Sequence, residues 1–281
     1  MDYVKYPKIK NAILLCLLIV GIQLIVGLLV GIILGLLDYT TQSVFYGIGI
    51  IVVQILSFAT IIIIGWKKSK TSFNHIFRFN QISISLWIYT ILFSFGFIIL
   101  LSEIDNVFNF ILPMPAILND SFNEIFINQN IFVAFILIGI IPAFTEEMTF
   151  RGLFITGFSK NYSIKKSIIV GALLFGLIHL NPWQFTTAFI IGLFSGWLFY
   201  KTESILLCIY IHLFNNTICL LTTRFPGFIQ FKGFNSSFNV PIQFQPWWLD
   251  LIGMVFTVSG FILLEKAIKG KIRKNIIIMT N

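Results

Sequence analysis

The sequence predicts an all-α fold: a polytopic membrane bundle of about eight transmembrane helices with both termini in the cytoplasm. Three observations predict it. Hydrophobic residues make up 57% of the chain and charged residues 11%, whereas soluble domains carry about 25% charged residues. The apolar residues fall in runs long enough to cross a hydrocarbon core of about 30 Å. The basic residues collect at alternate ends of those runs. No separate soluble domain, internal repeat or low-complexity tract is visible, so residues 1–281 read as one integral membrane domain.

A basic arm, Asp2 to Lys10, carries Lys5, Lys8 and Lys10. The first span, residues 11–37, is too long for a signal-peptide core and lacks a small-residue cleavage site, so it reads as retained. After a polar turn (38–42) the second span, 43–66, closes on Lys67, Lys68 and Lys70. Residues 72–81 mix Phe73, Ile76, Phe77 and Phe79 with His75 and Arg78, a pattern suited to the membrane interface. The third span is 82–102. Residues 103–130 read as a loop with four acids and no Lys or Arg, broken at Pro113 and Pro115. The fourth apolar region, 131–159, exceeds the apolar thickness, so it must tilt, kink or begin late, and Pro142 is the candidate break. The fifth span (167–180) ends at Asn181-Pro182. The sixth is 183–200 and the seventh 204–222. A Phe-, Asn- and Gln-rich loop (223–246) leads to the eighth (247–264) and a tail with Lys266, Lys269, Lys271, Arg273 and Lys274.

Of the nineteen Lys and Arg residues, only Arg224 and Lys232 fall on the side away from the termini, and Arg151 lies inside the fourth region. The rest mark the cytoplasmic face by the positive-inside rule. The net charge of +8 is therefore a topology signal, helped by anionic lipid heads, and implies no nucleic-acid partner. Cys16, Cys208 and Cys219 sit in apolar segments without metal-ligand spacing and read as packing residues.

Ionisable side chains inside a span are costly and by default point to function. Thr145-Glu146-Glu147-Met148-Thr149-Phe150-Arg151 holds three of them. On a helix Glu147 and Arg151 are i and i+4 and can form a bidentate pair, leaving Glu146 about 100° round the axis to point elsewhere. Were this only the cytoplasmic end of a span, Glu146 would lie about 8 Å deep. If the helix continues to Lys160, Glu146 lies about 21 Å in; His179, counted from Lys166, and Asn216, counted from Glu203, lie about 20 Å in, and His212 about 14 Å. These residues then share a layer. A lone histidine on an apolar helix is more often a packing residue, but His212 and Asn216 lie on one helix face, and Gly176 allows close approach beside His179. His75 lies in the interfacial segment and is assigned no chemistry. A carboxylate base, a histidine and oxyanion donors are what water attack on an amide requires. No serine or cysteine nucleophile has matching partners, and an HExxH helix is absent. Glu146, His179 and His212 also make up the donor set of a His₂Glu zinc site, so zinc is the one cofactor the sequence admits.

Glu-Glu-x-x-x-Arg (Glu146, Glu147, Arg151), Phe-x-x-x-His (Phe175, His179) and His-x-x-x-Asn (His212, Asn216), in that order on successive spans, resemble the CPBP family, the CAAX proteases and bacteriocin-processing enzymes also called Abi proteins. The resemblance covers residues 131–222, the catalytic core. It implies intramembrane endopeptidase activity: Glu146 and His179 activate water, His212 and Asn216 stabilise the oxyanion, and Glu147 with Arg151 supports them, with Phe175 completing the second motif. The family is described both as metalloproteases and as glutamate proteases. Its eukaryotic members trim prenylated CAAX proteins; its bacterial members process bacteriocins or pheromones or confer immunity. The Ile-, Phe-, Asn- and Lys-rich composition points to an AT-rich genome and a bacterial plasma membrane; a eukaryotic source would imply the endoplasmic reticulum. The expected partners are the bilayer and a membrane-associated peptide or protein substrate. The rival readings are a non-catalytic membrane immunity or binding protein of the same fold and an ion carrier, the latter disfavoured by the lack of a repeat.

Overall fold

The computed structural model describes residues 6–41, 43–227, 231–234 and 242–280, with residues 271–280 given by their backbone alone. Lys5 in the basic arm, the side chains of Lys271, Arg273 and Lys274, and part of the 223–246 loop lie outside the described residues. The described residues form helices and no strand: α1 (Ile9–Leu36), α2 (Val44–Ser69), α3 (Phe73–Phe77), α4 (Ile84–Ile111), α5 (Ala116–Asn123, continuing as a π-helical turn over Glu124–Asn128), α6 (Ile131–Phe158), α7 (Ile164–Leu177), α8 (Pro182–Thr202), α9 (Leu206–Arg224) and α10 (Trp247–Thr280). Six of these, α1, α2, α4, α6, α9 and α10 over Trp247–Gly270, are long and apolar enough to cross a membrane. The expected fifth and sixth spans correspond to α7 and α8. With 14 residues, α7 rises about 21 Å, short of a hydrocarbon core.

The motif helix α6 is the spine of the bundle. Phe150, Leu153, Phe154 and Phe158 on one side join an apolar cluster with Phe58 and Ile61 of α2, Phe77 of α3 and Phe175 of α7. Ala143 and Ile155 on the other side join a second cluster with Phe93 of α4, Leu198 of α8, Ile211 of α9 and Leu264 of α10. Between α4 and α10 the backbones nearly touch: a Cβ on Gly260 would stand 2.7 Å from the backbone of Phe93.

Two segments differ from the sequence expectation. The third span does not end at Ser102; α4 runs on to Ile111 and carries Glu103, Asp105 and Asn106, read above as loop. Partners make this tolerable, because a buried polar group is stable only when bonded. Thr187 donates to Asp105 Oδ1 at 2.5 Å, and Glu103 Oε2 accepts from Asn106 Nδ2 at 2.8 Å and from the Gln245 amide at 3.0 Å. The expected interfacial segment forms α3, but Ile76 and Phe77 are buried under α6 rather than facing lipid. Gly152 makes room there, since a Cβ on it would stand 2.6 Å from the Phe77 ring.

Helix α8 runs antiparallel to α4 between two ties. At one end Trp183 Nε1 donates to the Leu112 carbonyl at 2.7 Å. At the other Asn80 Nδ2 donates to the Glu203 carbonyl at 2.6 Å, and Arg78 pairs with the Glu203 carboxylate at 3.3 Å. The two ends of α8 are thus each tied to an end of α4.

Candidate functional site

Pro142 does not break α6. The helix instead alternates, α-helical over Ile131–Ala134, Ile141–Glu147 and Thr156–Phe158 and π-helical over Phe135–Ile140 and Met148–Ile155. Wide turns of this kind free backbone groups and are frequent at functional sites. In an α-helix the amide at position 142 would bond the carbonyl of Ile138; proline has no amide hydrogen to give. That carbonyl accepts from Asn216 Nδ2 at 2.8 Å instead. One of the two Asn216 amide hydrogens is therefore engaged in holding α6 to α9.

The charges lie deep. Glu147 is 0% exposed, Arg151 1% and Glu146 7%. The i,i+4 pair forms, with Arg151 Nε 3.0 Å from Glu147 Oε2. It is not the bidentate fork expected: the contact runs through Nε alone and is not aligned as a hydrogen bond, and Nη1 and Nη2 bond no described residue. The guanidinium lies instead over the Phe175 ring, with Cζ 4.4 Å from the centroid, where the ring face attracts a cation. The other oxygen of Glu147, Oε1, lies 2.9 Å from His212 Nδ1. An ionised carboxylate can only accept, so Nδ1 carries the hydrogen and Nε2 is left for other work.

His212 Nε2 stands 3.9 Å from Glu146 Oε2. That oxygen is buried and makes no hydrogen bond to any described residue. Glu146 Oε1 accepts from Gln54 Nε2 of α2 at 3.1 Å, and Gln54 Oε1 accepts from Gln23 Nε2 of α1 at 2.9 Å. Sequence reasoning missed both glutamines because they lie on α1 and α2, outside the motif-bearing spans it followed. The signal was present: Gln23 lies thirteen residues from Lys10 and Gln54 thirteen from Lys67, about 20 Å in and level with the layer inferred from the motifs.

His179 follows the last turn of α7, in the reversal into α8. Its Nδ1 bonds the Phe175 carbonyl at 2.9 Å, and Asn181, which caps α8, donates to the His179 carbonyl at 2.9 Å. Phe175 links the two histidines, its ring 5.4 Å from that of His179 and 5.7 Å from that of His212, each edge-on. The structure thus brings Glu146, Glu147, Arg151, Phe175 and His212 together, sets His179 across the Phe175 ring, and engages Asn216 on α6.

Among the described residues no three His, Cys, Asp or Glu side chains gather closely enough to hold a metal ion. Glu146 and His212 face each other while His179 lies across the Phe175 ring, so the three candidate zinc donors do not converge on one point in this arrangement.

Residues 128–218 match the family model described as type II CAAX prenyl endopeptidase Rce1-like. The matching family is that of the CAAX proteases. The Rce1-like segment holds all seven motif residues and runs from the end of the α5 segment into α9. It is the family the three motifs resemble, and together with the apolar helices it points to a multi-pass membrane protein. No curated protein and no solved structure matches the chain. Helices α1, α2, α4 and α10 lie outside the Rce1-like segment, so Gln23 and Gln54 reach Glu146 from beyond it.

Proposed function

We propose that the chain is an intramembrane endopeptidase that hydrolyses peptide bonds of membrane-associated peptides or proteins with water activated by Glu146. The observation that carries this reading is the state of Glu146 Oε2: buried, without a hydrogen bond to any described residue, and 3.9 Å from Nε2 of a clamped histidine. A separation beyond direct hydrogen bonding suits one bridging water, about 2.8 Å from each atom.

In the reaction Glu146 takes a proton as the water oxygen attacks the scissile carbonyl carbon, and later returns it to the leaving amine nitrogen. His179 completes the activating pair: with Nδ1 bonded to the Phe175 carbonyl, Nε2 is the nitrogen left to accept from water. The developing oxyanion meets the second amide hydrogen of Asn216 and, in the imidazolium form, His212 Nε2–H. Glu147 and Arg151 hold His212. This is a glutamate-type scheme; zinc enters no step, since its three candidate donors do not converge.

In the topology that goes with this chemistry, α7 and α8 complete eight spans and both termini are cytoplasmic. The ties that join each end of α8 to an end of α4 support this. The membrane is the plasma membrane, or the endoplasmic reticulum for a eukaryotic source. The substrates are of the CAAX type, as the description of the matching family suggests, or bacteriocin and pheromone precursors.

The test is cleavage of a panel of membrane-associated peptides by purified protein in detergent. The panel includes a prenylated CAAX peptide and a leader peptide with a double-glycine end. Wild type is expected to cleave at least one peptide and Glu146→Gln none, at equal expression. Adding a chelator should leave cleavage intact; loss that is restored by zinc would instead assign a metalloprotease. Binding without cleavage by either protein would favour the non-catalytic immunity or binding protein.

A further inference from the structure

Helices α1 and α2 contribute one polar group each to the layer of Glu146. Between Ala12 and Leu36, Gln23 is the sole amide side chain of α1, on a helix that otherwise exposes Leu24, Ile25, Leu28 and Leu29 to lipid. A primary amide within a bilayer needs a partner. Gln23 finds it in Gln54, and Gln54 finds its second partner in Glu146. The direction of the chain follows from one end: only an N–H can face an ionised carboxylate, so Gln54 presents Nε2 to Glu146 and Oε1 to Gln23. Each glutamine is thereby locked in a single orientation.

We propose that Gln54, braced by Gln23, is a positioning residue that ties down Glu146 Oε1 and so commits Oε2 to the reacting water. The role rests on the endopeptidase reading given above. A carboxylate with two unbonded oxygens in an apolar layer would rotate and swing toward whichever donor is near, and its basic lone pair would face the water for only part of the time. With Oε1 held at 3.1 Å by Gln54, Oε2 is the oxygen left for proton transfer. Gln54 touches neither substrate nor water; it acts through Glu146. Gln23 acts one step further back.

Two measurements test this, one independent of turnover. Infrared difference spectra of wild type minus Glu146→Gln isolate the antisymmetric carboxylate stretch of Glu146. The band should shift in Gln54→Met, which keeps the shape of the side chain and removes the donor. A band that stays put overturns the proposal, whether or not a substrate is known. In cleavage assays Gln54→Met should lower kcat by about tenfold to a hundredfold, the order expected for a misplaced catalytic group, with KM unchanged. Gln23→Met should lower it less and should add nothing when Gln54 is already Met, because its effect passes through that residue. Gln54→Asn in place of Met restores a donor on a shorter arm and should recover part of the loss. A structural role confined to α1–α2 packing would lower thermal stability and leave kcat unaltered, and equal, additive effects of the two Met variants would overturn the relay. If wild type cleaves nothing, the endopeptidase reading fails while the infrared result still decides whether Gln54 holds Glu146.

Discussion

The sharpest stability prediction concerns the buried pair. At 3.0 Å, the Glu147–Arg151 attraction is about 5.5 kcal/mol at an effective dielectric of about 20. The Phe175 ring beneath the guanidinium adds up to about 2 kcal/mol when water is excluded. Arg151→Met keeps the length of the side chain and removes the charge. It leaves the Glu147 carboxylate, at 0% exposure, facing His212 Nδ1 without the cation, and breaking one side of such a pair costs about 3–5 kcal/mol. Against a typical total of about 5–15 kcal/mol that is a large fraction. Glu147→Leu should cost a similar amount by stranding Arg151. The double variant Glu147→Leu/Arg151→Met removes both charges together, and apolar replacement of a whole buried pair is about neutral or stabilising by about 1–4 kcal/mol. The double variant should therefore be more stable than either single one, yet inactive, because His212 Nδ1 has lost its acceptor. Reversible unfolding in mixed micelles supplies the free energies and peptide cleavage supplies the activity. A cost under about 1 kcal/mol for Arg151→Met, or a double variant no more stable than the single ones, would refute the reasoning that these are uncompensated buried charges.

Three further outcomes follow from the packing. Asn216→Leu leaves the Ile138 carbonyl without its donor and should cost about 1–3 kcal/mol; in a Pro142→Ala background, where an amide hydrogen returns to position 142, the loss measured by unfolding should shrink. Phe175→Leu removes the face under Arg151, worth about 0.5–2 kcal/mol, and the edge contacts to both histidines, so melting point and kcat should fall together. Gly260→Leu drives a side chain into the Phe93 backbone and should cost about 1–3 kcal/mol or more, seen as a lowered melting point and as weaker cysteine cross-linking between α4 and α10.

The readable parts of this molecule are those fixed by helix periodicity. The four-residue step from Glu147 to Arg151 places the two together, and the single step from Glu146 to Glu147 turns the other carboxylate away, toward α2; both relations hold in the structure. The step from His212 to Asn216 likewise puts both on the face of α9 that meets α6. What periodicity could not supply was partnership between distant helices. The acids of residues 103–106 looked like loop because their acceptors' donors, Thr187 and Gln245, are more than eighty residues away. The bidentate pair failed for a related reason: Phe175, from another helix, offers the guanidinium a ring face. Pro142 read as a break because its local effect is to remove a hydrogen bond, and the replacement donor comes from α9.

The same logic explains why so many polar groups can share one apolar layer. A buried charge is tolerated when oppositely charged or polar neighbours face it. Glu147 divides its two oxygens between Arg151 and His212, and the orientation of His212 follows from that division. Glu146 divides its own between Gln54 and the gap before His212 Nε2. Along the path Gln23, Gln54, Glu146, His212, Glu147 and Arg151, every junction but one is a close polar contact between side chains. The exception is the 3.9 Å step from Glu146 to His212. A network held at both ends and open at one junction puts its reactive atoms at that junction, whose width suits a single bridging water. Substituting a residue at either end should therefore alter the chemistry at the centre, whereas an equally polar residue off the path, such as Thr149 with its bond to the Thr145 carbonyl, should be replaceable by valine with little effect on kcat. A tenfold loss of kcat in Thr149→Val would show that the open junction is not what sets the rate.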